Sequence, residues 1–196
     1  MALPASTETE RTLALQAIVR NASEAIINWP APTPDDVILV GKVVVYYSYI
    51  DFDLRRFIEV LDHSKRLPAK WLGKTAKMQI GDVETILQTI PDWHPNNVQA
   101  FTLIKEFRKL RNLMAHFAIR RFPNDDALVF ITKSAADYKR VLGVEPNPGM
   151  VMTGVIDLPQ IREVCKRIEG LLYWLSQATH QVEDHYLKSL KPDVSE

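Results

Sequence analysis

The chain has one cysteine, Cys165, so no disulfide can form within it. That excludes the disulfide-stapled scaffolds of small secreted domains, and Cys165 itself reads as a small core side chain in an amphipathic pattern. Neither sign of charge is in excess, with 24 lysines and arginines against 24 aspartates and glutamates. A global basic coat for nucleic acid is therefore excluded, whereas a local basic patch is not. Long apolar runs are also missing. The most apolar stretch, "VILVGKVVVYYSYI" at Val37–Ile50, is too short for a membrane span and carries Lys42. The first residues, "MALPASTETERT", lack the charged-then-apolar pattern of a leader. There is no glycine-rich phosphate loop, no Cys–His zinc spacing and no nucleophilic-serine elbow. These absences lead to the expectation of a soluble, cytoplasmic protein that needs no membrane, no metal and no cofactor.

What is present is helical periodicity. A length of 196 residues suits a single domain, 1–196, with frayed tails at 1–6 and 190–196. Residues 7–27 repeat Leu15, Ile18, Val19, Ala22, Ala25 and Ile26 at three- and four-residue steps. Three prolines in five residues (30, 32, 34) break the chain. Thr33, Pro34, Asp35 and Asp36 then predict a helix start, and the helix should run to about Asp62. Its first half is apolar on every side, which predicts burial or contact with a second copy. A basic connector follows, with a short helix around Ala69–Ala76 and another capped by Asp82 that ends before Pro91. "PDWHPNN" reads as a turn. The next helix, from about Pro95 to Phe117, carries the stripe Val98, Phe101, Ile104, Phe107, Leu110, Met114 and Phe117. "AIRRF" and "ALVFIT" around "PNDD" read as a hairpin, with a third short strand over Met150–Ile156. Asp157 caps a last helix whose stripe is Ile161, Val164, Cys165, Ile168, Leu171, Leu172, Leu175 and Val182. The sum is a mostly α bundle of four to five helices with a small β-hairpin inserted before the last.

Polar residues concentrate at the end of the stretch "IKEFRKLRNLMAHF". Arg111, Asn112 and His116 lie there among apolar and basic neighbours. Asn112 and His116 are four apart and share a helix face, as does Arg108, while Arg111 and His116 are turned by about 140°. A long arginine can reach around that angle. Imidazole, amide and guanidinium beside a cationic rim suit phosphodiester transfer without a metal. Imidazole titrates near neutrality and can move a proton. A guanidinium holds phosphate through two parallel hydrogen bonds and stabilises charge growing on its oxygens. RNA brings its own nucleophile, the 2′-hydroxyl. Lys105, Arg108, Lys109 and Arg120, with Arg121 beyond, could track phosphates or form an ordinary solvated face.

Arg-Asn-x-x-Ala-His at the end of an apolar helix, in an all-α chain of this size, resembles the HEPN superfamily, whose pattern is an arginine, four to six residues, then a histidine. The context is similar too: "VGKVVVYYSYIDFDLRRFI", a helix with an embedded glycine, precedes the motif. A hairpin and one long amphipathic helix follow it. The resemblance implies a helical-bundle domain acting as a metal-independent endoribonuclease on single-stranded or looped RNA. It implies His116 as acid or base, Arg111 as phosphate clamp and Asn112 as its positioner, with Asp51 a loose match to an acidic position on the earlier helix. It also implies a homodimer whose two motifs line one cleft, and a role as toxin or defence effector with an antitoxin or regulatory partner. The branch with a tyrosine two residues after the histidine is not matched, because Ala118 stands there.

Structural readings compete. Arginine and histidine in a last turn meet the negative end of the helix dipole, and Asn112 could bond loop backbone. On that reading the module is non-catalytic and serves dimerisation or the binding of nucleotide or RNA. His180, Glu183, Asp184 and His185 cluster on the last helix but lack a matching second ligand set and read as a solvated helix end. Tyr46, Tyr47, Tyr49 and Phe52 could stack bases, or pack in a core or dimer.

Overall fold

The computed structural model describes residues 9–65, 67, 69–70, 96–142, 145 and 151–190. Among them are α1 (Glu10–Ala22), a 3-10 helix (Ser23–Asn28), α2 (Pro34–His63), α3 (Asn96–His116), β1 (Ala118–Arg121), β2 (Ala127–Thr132), α4 (Ala135–Leu142), β3 (Met152–Asp157) and α5 (Leu158–Leu190). The mostly helical class is therefore observed. The short helices expected near 69–76 and after Asp82, the "PDWHPNN" turn, the side chains of Val98 and Val182, and the tails beyond Leu190 and before Thr9 lie outside the described residues. Contacts divide the chain into two compact units, residues 1–46 with 106–168 and residues 47–105 with 169–196.

In the first unit the sheet is a central layer. Strand order is β1-β2-β3, antiparallel throughout, with Arg121 opposite Leu128 and Val129 opposite Val155. All six residues of β2 are buried. Ala127, Val129 and Ile131 on one face meet Leu15 and Val19 of α1, Ile26 of the 3-10 helix, Phe122 and Val155. Leu128 and Phe130 on the other face are also fully buried. The expected insertion thus becomes core, and α1 covers the sheet. This corrects the stripe read for α1. Ile18 is 51% exposed, while Thr12, Leu15, Gln16 and Val19 face inward. Thr9 and Thr12 cap one another reciprocally at the start of α1, which helps turn that face toward the sheet.

Short-range chemistry sets most of the other ends. Thr33 caps α2, with the Asp36 N–H donating to its hydroxyl at 3.2 Å and the Thr33 N–H donating to the Asp36 carboxylate at 2.8 Å. Asn124, in the hairpin turn, takes a left-handed φ of 58°, which asparagine tolerates. Ser134 caps α4, a helix absent from the sequence reading, by accepting from the Asp137 N–H at 3.1 Å. Asp157 caps α5 as expected, accepting from the Gln160 N–H at 2.8 Å. The first half of α2 is buried on one side only. Val40 and Val43 face the core, whereas Val37 and Ile38 are 56% and 57% exposed.

The second unit has its own core. Tyr47, Ile50, Leu54, Phe57 and Leu61 of α2 are buried, as are Phe101 and Ile104 of α3 and Leu171 and Leu175 of α5. Tyr47 donates to the Ile104 carbonyl at 2.9 Å, so it is a structural aromatic. Tyr49 and Phe52 are exposed. Arg56 forks onto Glu183, and His180 stands 3.4 Å from the same carboxylate. Asp53 is buried beside this group. Burial pushes its carboxyl above the ordinary value of 3.8, Arg56 and His180 pull it back, and Glu183 adds to the rise. A raised carboxyl favours the fold fully below that ordinary value and loses this contribution as pH rises through the folded value. Asp53→Asn is accordingly expected to raise the urea midpoint at pH 7 and to leave it nearly unchanged at pH 3. A lower midpoint at pH 7 would mean that the Arg56 and His180 charges overcompensate for the burial.

Candidate functional site at the end of α3

The last turns of α3 are anchored from beneath. Phe107, Leu110 and Leu113 are essentially inaccessible, and Met114 and Phe117 are nearly so. The Phe117 N–H closes the helix on the Leu113 carbonyl at 3.0 Å, and β1 begins one residue later. His116 is therefore fixed at a helix-to-strand junction. Its side chain is exposed and has no hydrogen-bond or ion-pair partner among the described residues.

Arg108, Asn112 and His116 follow one another at four-residue steps along the outer face of α3. Arg111 stands at the edge of the buried stripe and is half-buried. Its Nη1 donates to the Asn112 Oδ1 at 3.0 Å. Its Nε is buried without a hydrogen-bond partner among the described residues. The asparagine thus draws the guanidinium from the margin toward the column that ends in His116. That contact joins two of the three expected residues directly. His116 shares the face of Asn112 without a bond to it.

The expected rim divides. Arg108 is half-buried and Lys109 exposed, and neither has a carboxylate partner among the described residues. Arg120 is committed elsewhere, donating to the Ile27 and Ile119 carbonyls at 2.9 and 3.1 Å. Arg121 reaches Asp36 at 2.7 Å and Asp126 at 3.1 Å. Lys105 and Asp51, both half-buried, belong to the second unit. One cation was not foreseen. The Arg167 guanidinium, from α5, lies over the Phe107 ring at 5.9 Å from its centroid. No local pattern could reveal a contact across that separation in sequence.

Other candidate places in the first unit are chemically closed. An open cleft of about 600 Å³ is lined by Arg11, Pro30 and residues 121–126. Its arginines are matched by carboxylates, Arg11 by Asp125 and Arg121 by Asp36 and Asp126. Cys165 is buried, its Sγ 3.8 Å from the Leu39 carbonyl oxygen. Among the described residues, no group of three or more His, Cys, Asp or Glu side chains is arranged to hold a metal ion. No helix among them is long and apolar enough to cross a membrane. No family model, curated protein or solved structure matches the chain.

Proposed function

We propose that the end of α3 is the active centre of a metal-independent endoribonuclease in a HEPN-like helical domain. The observation that carries this reading is the Arg111–Asn112 hydrogen bond on the helix turn before His116, whose exposed imidazole has no bond among the described residues. His116 takes the proton of an RNA 2′-hydroxyl. The 2′-oxygen attacks the adjacent phosphorus, and the bond from phosphorus to the 5′-oxygen breaks. A protonated imidazole, that of a second copy when two motifs face one cleft, returns a proton to the leaving 5′-oxygen. Arg111 holds the non-bridging oxygens and offsets the charge that builds on them. Asn112 fixes the plane of the guanidinium. Arg108 and Lys109 draw the chain in electrostatically. The substrate on this reading is single-stranded or looped RNA, and the setting is a toxin or defence effector held by a regulatory partner.

The test is incubation of a mixed, structured RNA pool with the purified protein in EDTA, with end-group analysis of the fragments. Cleavage is expected, with 2′,3′-cyclic phosphate and 5′-hydroxyl ends. Intact RNA would reject the reading. A binding or dimerisation module would then be the better account, favoured by the open apolar side of α2 at Val37, Ile38 and Val45.

A further inference from the structure

Arg167 is an exposed cation that the fold carries from α5 to the motif helix. Its guanidinium lies over the ring of Phe107, which is fully buried and stands one helical turn before Arg111. Side chains four apart on a helix are about 5–6 Å apart at Cβ. Phe107 and Arg111 thus share one side of α3, and Arg167 reaches the side of the helix from which Arg111 extends. It has no hydrogen bond or ion pair among the described residues, and even Glu163, one turn earlier on α5, makes none with it.

A guanidinium held over an aromatic ring is fixed through its apolar face. Its N–H groups at the edge remain available, which is the arrangement that binds phosphate through a fork. We propose that Arg167 is a substrate-binding residue that takes the phosphate neighbouring the one clamped by Arg111. The ligand class is the sugar–phosphate backbone of single-stranded RNA. The assignment rests on the reading of the α3 end as an RNA site. Two helices then grip successive phosphates. The strand is held at the phosphate to be cut and at one neighbouring phosphate, and no base is read.

The experiment measures binding of a fluorescein-labelled, 2′-O-methylated single-stranded oligonucleotide by anisotropy between 50 and 200 mM salt. The 2′-O-methyl groups remove the nucleophile, so binding is read without cleavage. Arg167→Gln keeps much of the stem over Phe107 and removes the charge. It is expected to weaken binding about five- to tenfold at the low-salt end and to lower the slope of log affinity against log salt by about 0.7. Arg167→Lys is expected to keep the slope. If Arg167 only shields Phe107, both variants melt earlier while affinity and slope stay at the parent's values, and the assignment falls. It falls too if the parent does not bind the oligonucleotide. If the parent binds, the Gln variant loses slope and ordinary RNA is left uncut, the nuclease reading fails while the phosphate site stands.

Discussion

His116→Ala is expected to lower RNA cleavage by at least about 10²-fold while the protein keeps its fold. Positioned general acid–base groups contribute on the order of 10²–10⁴ to rate, and a paired site would lose both of its histidines at once. The structural side of the argument makes this variant decisive. His116 is exposed and bonds to no described residue. Removal of such a side chain ordinarily changes stability by no more than about 0.5 kcal/mol, with a few tenths more for a cation at a helix C-terminus. Loss of cleavage at an unchanged melting temperature would therefore place His116 in the chemistry. Unchanged cleavage would remove it from the site, and a melting point lowered by many degrees would assign it to the fold. Arg111→Lys is the companion variant. It keeps the charge but loses the planar fork and the bond to the Asn112 amide oxygen. About 10²-fold should be lost from kcat, in line with removal of one oxyanion donor. A lysine variant within threefold of the parent would mean that any cation suffices there and that Asn112 positions nothing.

How much of this was legible in the sequence depended on the range of the interaction. Caps were legible because their partners are three residues apart. Thr33 and Asp157 are legible as caps, and the structure supplies their partners, the N–H groups of Asp36 and Gln160. The capping pair at Ser134 and Asp137 has the same spacing and went unread, because an eight-residue helix carries little periodicity. The hairpin and third strand were legible through alternation and turn residues. The status of β2 as a two-faced core strand was not. Its run "ALVFIT" is equally apolar at every position, so which elements cover each face is not written in the strand itself. Ile18 was misplaced for a related reason. The buried face of α1 is chosen by the sheet it covers and includes polar Thr12 and Gln16, which a count of apolar residues passes over. At the site, the Arg111–Asn112 contact was legible as an adjacency. The fates of Arg120, Arg121 and Arg167 were not, since each is decided by a group 60 to 93 residues away.

Arg121 gives the largest expected effect on stability. Its guanidinium places Nη1 at 2.7 Å from both carboxylate oxygens of Asp36, and the Asp36 side chain is 3% exposed. The same arginine reaches Asp126 at 3.1 Å, so one residue of β1 ties the start of α2 to the hairpin turn. Burial pushes the Asp36 carboxyl up. The hydrogen bonds from Arg121 and Thr33 and the arginine charge outweigh this and hold it below its ordinary value of 3.8. Arg121→Met would leave a buried carboxylate with Thr33 as its remaining hydrogen-bond partner. Removing one partner of a buried pair costs about 3–5 kcal/mol. The surviving backbone bond and the 27% exposure of the Arg121 side chain place the expected loss near the lower end, about 3 kcal/mol. A carboxyl held low in the fold contributes stability above its unfolded value, and that contribution is lost as pH falls through the folded value. The gap between parent and variant should therefore be widest near neutral pH and should shrink as pH falls below 3.8 and through the lowered folded value of Asp36. Asp36→Asn combined with Arg121→Met should recover part of the loss, because the double variant buries no charge. Urea denaturation of the parent and the variants at pH 7 and pH 3 measures all of this. A loss below 1 kcal/mol at pH 7, or a gap that widens on acidification, would mean that the pair is solvated and that α2 is held to the sheet by apolar packing alone.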